Sequence, residues 1–173
     1  MLFMTKYYTG IGSRSTPKNV TQLMTKVATY LSTIGYTLRS GGADGADSAF
    51  EAGSTKSEIF LPWPNFNNKE GIVCSHPKAI YLAKQFHPRY SSLSDGAKKL
   101  MIRNSHQIFG VDMNTPSDFI ICWTPDGKGG GGTGQALRIA LYYNIPIFDI
   151  GNYTDMNIAR RKLYDFLKPF TSK

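Results

Sequence analysis

The residues of this chain best suited to chemistry are glycines followed by hydroxyls and cations. Gly129, Gly130, Gly131, Gly132 and Thr133 form an unbroken run between an apolar segment, Asp118 to Trp123, and an apolar-periodic one, Ala136 to Tyr143. Residues without Cβ let an anion approach backbone N–H groups. The helix expected after the run adds its own unpaired N–H groups and the positive end of its dipole. One dipole–charge contact at a surface is worth about 0.3–1 kcal/mol, so several must converge to hold a phosphate. Two more glycine turns, Gly10-Ile11-Gly12-Ser13-Arg14 and Ser40-Gly41-Gly42-Ala43-Asp44-Gly45-Ala46-Asp47, stand where a strand hands over to a helix. Ser13 and Arg14 suit phosphate oxygens, since guanidinium pairs with them bidentately and a charged hydrogen bond contributes about 1.5–3 kcal/mol net.

Asp44 and Asp47 fit a metal site by type, but at the opening of a helix they read as caps of its N–H groups. Glu51 lies one helical turn beyond Asp47. It is the candidate acid or nucleophile toward a sugar carbon, with a solvated helix residue as its plain alternative. Spacing alone does not separate Arg103-Asn104 from a solvent-facing pair. The dinucleotide fingerprint is incomplete, because Ser15 replaces its third glycine and Arg39-Ser40 supply no acid for a ribose. A P-loop is excluded by the lack of Gly-Lys-Ser/Thr after the glycines. Cys74, Cys122, His76, His87 and His106 show no zinc spacing, so neither metal nor cofactor is expected.

These groups need a scaffold, and strand patterns alternate with helical ones along the chain. A strand at Lys6 to Gly12 precedes a helix with Val20, Leu23, Met24, Val27, Ala28, Leu31 and Ile34 on one face. Ser15 or Thr16 is its expected cap, Pro17 suits its first turn, and Gly35 stops it. Strands at Tyr36 to Ser40, Glu58 to Trp63, Asp118 to Thr124 and Ile145 to Ile150 follow. Helices are expected from about Asp44 to Gly53, around Lys78 to Phe86, from Ser94 to Gly110, from Thr133 to Asn144 and from about Asp155 to Leu167. Pro64 to Arg89 reads as a lid. Strands separated by helices imply parallel pairing with right-handed crossovers, an α/β fold with helices on both faces of the sheet. All three glycine turns are then strand exits, where such sheets bind ligands.

The 173 residues suit a single domain, 1–173. Two distant cysteines and a first segment without a signal-peptide pattern imply a cytoplasmic protein, and no apolar stretch is long enough to imply a membrane partner. The net charge of +8 favours anionic partners. It is dispersed, and Lys98-Lys99 and Arg160 to Lys162 read as ordinary solvated helix faces.

Together the segments from Gly10-Ile-Gly-Ser-Arg14 through Ser40 to Asp47 to Gly130-Gly-Gly-Thr133 and Ile145-Pro-Ile-Phe148 resemble the SLOG superfamily. That group includes DNA-processing protein A and the Lonely Guy phosphoribohydrolases. The resemblance implies a Rossmann-like three-layer fold with a mostly parallel sheet. It also implies a nucleotide or nucleotide-derived ligand held by Gly12, Ser13, Arg14, Gly41, Gly42, Asp44, Asp47, Arg103, Asn104, the Gly129 to Thr133 loop and Gln135. By the same analogy Arg103 contacts a ligand phosphate or glycosidic leaving group. The phosphoribohydrolase pattern Pro-Gly-Gly-x-Gly-Thr-x-x-Glu maps onto Lys128 to Ala136, so Lys128 replaces its proline and Ala136 its glutamate. Neither Ala136 nor Gln135 can take a negative charge. The DNA-processing pattern departs too, with Glu51 where its histidine is expected and no winged-helix domain.

The leading expectation is therefore a nucleotide-binding protein, a sensor or sequestering protein among its variants. An N-glycosidic hydrolase or transferase using Glu51 and Arg103 is one alternative. A single-stranded nucleic-acid binder with Tyr90, Trp63 and Phe66 as stacking platforms is another. A homodimer is a further expectation drawn from the fold's relatives.

Overall fold

The computed structural model describes residues 5–172, so residues 1–4, part of the segment read for targeting, lie outside it. Five parallel strands, β1 (Lys6–Gly12), β2 (Tyr36–Ser40), β3 (Ser57–Ile59), β4 (Ile120–Trp123) and β5 (Ile147–Asp149), form one sheet in the order β3-β2-β1-β4-β5. The helices are α1 (Lys18–Thr33), α2 (Ala46–Gly53), α3 (Pro77–Phe86), α4 (Asp95–Phe109), α5 (Gly131–Tyr142) and α6 (Met156–Thr171). This is the α/β, Rossmann-like three-layer arrangement that the alternation implies.

The two faces follow from the period of the strands. Tyr8, Tyr36, Leu38, Phe119 and Ile121 join a core with α1, α2 and α6, whereas Ile11, Ile120 and Cys122 join a second core with α3, α4 and α5. On the first face Gly10 and Gly12 let α2 come close, since a Cβ on Gly10 would lie 2.6 Å from the Phe50 ring and one on Gly12 2.7 Å from Ala46 Cβ. The strand order reverses between β1 and β4. β1 leads to α1 on the first face and β4 to α5 on the second, so a crevice opens between their carboxyl ends.

Local details depart from the sequence reading. Neither Ser15 nor Thr16 caps α1. Pro17 occupies the cap position, and the Thr16 hydroxyl instead donates to the Ser13 carbonyl at 2.6 Å. Neither Asp44 nor Asp47 caps α2, whose cap position is held by Gly45 at φ +78°. Asp44 accepts from Asn67 at 3.0 Å, while Asp47 accepts the Ala43 N–H at 3.2 Å and so closes the turn before the helix. The third strand ends at Ile59, with one bridge from Phe60 to Ile72 beyond it. Pro64 to Arg89 is not a free lid, because α3 buries Ala79, Leu82 and Ala83 against α4 and α5. Ser94 and Asp155 do cap α4 and α6, their side chains accepting the N–H groups of Ala97 and of Asn157 and Ile158.

Arg39 ties the second face together. Only 2% exposed, it donates to Glu58 of β3 at 3.0 Å and to the Thr115 carbonyl at 2.5 Å, and its guanidinium lies 3.9 Å from the Tyr7 ring centre. Replacing Arg39 leaves the Thr115 carbonyl and the Glu58 carboxylate, itself 25% exposed, without their partner. Arg39→Met is expected to lower unfolding free energy by about 3 kcal/mol, measured by urea denaturation, and a loss below about 1 kcal/mol would reduce the pair to a surface contact.

Candidate functional site

The crevice between β1 and β4 encloses about 430 Å³. β1 and the turn after it supply Ile11, Gly12, Ser13 and Arg14, and the second turn and α2 supply Ala43 and Asp47. α4 supplies Leu100, Met101, Arg103, Asn104 and Gln107. Pro125 and Gly130 to Thr133 complete the lining. The structure thus brings together Gly12, Ser13, Arg14, Asp47, Arg103, Asn104, Gly130, Gly131, Gly132 and Thr133 from the sequence-derived set.

The remaining members of that set stand outside the lining. Gly41 and Gly42 pass their carbonyls to the Arg103 guanidinium at 2.5 Å and the Asn67 amide at 3.0 Å. Gly129 donates its N–H to the Thr124 hydroxyl at 2.9 Å. Gln135 is 1% exposed and accepts from Asn104. Asp44 faces Asn67. Glu51 does not line the crevice and pairs with Lys69 at 3.2 Å. Of the expected stacking aromatics, Phe66 is buried with Trp63 edge-on against it and the Arg103 guanidinium 5.7 Å from its ring centre, so neither is a free platform. Tyr90 is half-buried, with the Lys98 ammonium 5.5 Å from its ring centre.

The glycine loop separates into positions with different causes. Gly127, Gly129 and Gly131 take φ of +66°, +66° and +70°, a region that L side chains rarely adopt. Gly134 is fixed by contact, since a Cβ there would overlap the Gly129 carbonyl oxygen. Gly130 and Gly132 have neither cause: their φ is not left-handed, and a Cβ would meet nothing within 4 Å. They lie at the N-terminus of α5, which has no side-chain cap and no acid in its first turn. Below the loop, the Asp149 carboxylate accepts from the Thr124 N–H, the Thr124 hydroxyl and the Gly151 N–H, which anchors the exit of β4 to that of β5.

On the opposite wall Arg103 and Asn104 are buried rather than solvent-facing. The Asn104 amide donates at 3.1 Å to both the Gly132 carbonyl and Gln135 Oε1. Its oxygen accepts from Arg103 Nε at 3.2 Å and from Gln107 Nε2 at 3.0 Å. One side chain thus sets the register between α4 and the glycine loop. Sequence reasoning does not single out Gln107, Leu100 and Met101 as lining residues. Helical spacing from Arg103 and Asn104 is the signal that finds them, since 100 and 107 stand three and four residues from 103 and 101 stands three from 104.

Asp47 is the carboxylate of the crevice and is 4% exposed. Burial raises its pKa to about 6, opposed by the attraction of Arg103 and by hydrogen bonds from Ala43, Ser40 and Gly41. Burial also lowers Arg103 from its ordinary value, opposed by Asp47. A carboxyl whose folded pKa is raised binds its proton more tightly when folded. The protein therefore loses stability as pH rises from the unfolded value toward 6. An amide in place of the carboxyl does not ionise. The stability of Asp47→Asn relative to the parent is expected to grow by about 2 kcal/mol between pH 4 and pH 7, read from urea melts, and a pH-independent difference would contradict a strained carboxylate.

No protein-family model matches the chain, and no curated protein matches it. Among solved structures it is similar to DNA processing protein A from Helicobacter pylori, a structure described for its single-stranded DNA binding mode. The identity is 20%, the TM-score 0.50, and the match covers 84% of this chain but 65% of that one. The likeness is one of fold: the sheet and its helices are of the kind found in DNA processing protein A, as the SLOG-like motifs imply.

Proposed function

We propose that the crevice binds a nucleotide or a nucleotide-derived small molecule, with one phosphate over the Gly130 to Thr133 N–H groups and beside Arg14. The observation that carries this reading is the pair Gly130 and Gly132. No internal contact or backbone angle calls for glycine there, yet a missing Cβ is what a phosphate needs to reach N–H groups at a helix N-terminus. Ile11, Leu100, Met101 and Pro125 offer apolar surface to a base, and Asp47 accepts from a hydroxyl or amino donor. The reading is one of binding, as for a sensor or sequestering protein. The N-glycosidase alternative assigned its carboxylate to Glu51, which is held by Lys69 outside the lining, and so loses that residue.

The single-stranded nucleic-acid reading draws on one observation, the binding mode described for the H. pylori structure, together with the net charge of +8. The two readings differ in salt dependence. A polynucleotide releases several counterions on binding and weakens steeply with salt, whereas one phosphate in a crevice weakens gently.

Thermal shift and chromatography with a panel of nucleoside mono-, di- and triphosphates and an oligothymidylate test the proposal. Stabilisation by a mononucleotide without released base is expected. Gly132→Ala should leave melting temperature within about 2 °C of the parent and weaken binding about tenfold or more, because its Cβ points into free space. Gly134→Ala should lower melting temperature outright. A panel without response would overturn the mononucleotide reading, and steeply salt-dependent binding of the oligonucleotide alone would replace it.

A further inference from the structure

Three imidazoles around α3 act as hydrogen-bond acceptors, which an imidazole nitrogen does only while unprotonated. His106 is wholly buried on α4 with its Nδ1 2.9 Å from the Gly110 carbonyl. A carbonyl cannot donate, so Nδ1 carries the proton. Nε2 presents its lone pair and accepts the backbone N–H of His76 at 3.3 Å. The His76 ring in turn caps α3, its Nδ1 accepting the Lys78 N–H at 3.1 Å. Just past the other end of α3, His87 Nδ1 accepts the Arg89 N–H at 3.1 Å. The three histidines of the chain thus bracket one helix.

We propose that α3 is a strap released by acid: it stays docked on α4 and α5 while the buried His106 ring accepts the His76 N–H at its start, and detaches as that ring takes up a proton. Protonated, His106 turns an N–H toward the His76 N–H and replaces a hydrogen bond by a repulsion. The strap has no acid to offset the new charge, because residues 71–94 carry Lys78, Lys84 and Arg89 and no Asp or Glu. His76 is the titratable group that faces His106, whose ring stacks on Phe60; along α3, Lys78 lies over the Phe109 ring and Arg138 of α5 reaches the Phe86 carbonyl. Burial holds His106 below the ordinary imidazole value; its bond to Gly110 opposes this and His76 adds to it. The neutral ring is therefore favoured by folding, and the stability it confers is present above about pH 6.5 and lost as pH falls below.

The strap touches both helices that wall the crevice. Ser105 of α4 donates to the Ala79 carbonyl at 3.3 Å, and Arg138 of α5 donates to the Phe86 carbonyl at 3.1 Å. Release of α3 therefore loosens the outer support of Asn104 and of the glycine loop. That consequence for ligand affinity rests on the proposed function, whereas the release itself does not.

The test is hydrogen–deuterium exchange of the ligand-free protein at pH 7.5 and 5.5, corrected for intrinsic exchange rates. Amides of α3 are expected to exchange about tenfold faster at pH 5.5, with those of α1 and β1 unchanged. His106→Gln supplies a non-titrating acceptor and should shrink the pH effect, whereas His76→Asn keeps the backbone N–H that His106 accepts and should leave the effect in place. If His106→Gln does not fold, the parent protein's α3 exchange at the two pH values decides by itself. Persistence of the effect in Asp47→Asn separates the strap from the crevice carboxylate. Equal α3 protection at both pH values in the parent protein would overturn the proposal, and so would loss of the effect in Asp47→Asn.

Discussion

The parallel pairing of β1 with β4 is the constraint on which the rest depends. In this register Gly12 stands opposite Trp123, so the two strands reach their exits side by side. Their chains then leave toward opposite faces, and residues of both exits line one crevice. For the exits to stay this close, Gly12 of the first turn and Gly41 and Gly45 of the second must lack a Cβ. A Cβ on Gly45 would lie 2.6 Å from the carbonyl oxygens of Ser13 and Arg14, and one on Gly41 would lie 2.5 Å from the Arg103 guanidinium. Those glycines serve the assembly of the crevice, while Gly130 and Gly132 are left over for what enters it.

A buried polar cluster then fixes the crevice wall. Burying a guanidinium and three amides is unfavourable unless each is hydrogen-bonded, so the cluster tolerates few alternative arrangements. Arg103 is satisfied by the Gly41 carbonyl and Asn104, and Gln107 by Asn104. The chain of donors ends at Gln135 Nε2, a buried amide nitrogen with no protein partner. Such a network spends stability on register, because shifting α4 or the loop would break several bonds at once.

Sequence periodicity made the scaffold legible: each of the five strands and six helices lies where alternation or a helical stripe put it, since both periods reflect burial on a sheet or helix face. The caps of α1 and α2 were not legible, because Thr16, Asp44 and Asp47 have cap chemistry but bond backwards or sideways into turns whose course depends on tertiary contacts. The same limit hid the role of Asn104. Its amide is a hub only because Gly132, Gln135 and Gln107 arrive from elsewhere in the fold. For Glu51, location on the same helix as Asp47 suggested a shared wall, but the carboxylate is turned to Lys69.

Electrostatics within the crevice favour one anionic group over a string of them. Arg14 and the N-terminus of α5 attract an anion, while the field of Arg103 is opposed by Asp47, whose carboxyl is ionised above about pH 6. A polynucleotide track needs cations spaced along a continuous groove. Here the densest basic run, Arg160 to Lys162, lies exposed on α6, on the opposite side of the sheet from α4 and α5. The net charge of the chain and the charge of its crevice are therefore separate quantities. The first raises encounter rates with any anion, and the second, with a single arginine at the mouth and a carboxylate at the floor, is the charge pattern on which the proposed phosphate-ended ligand rests.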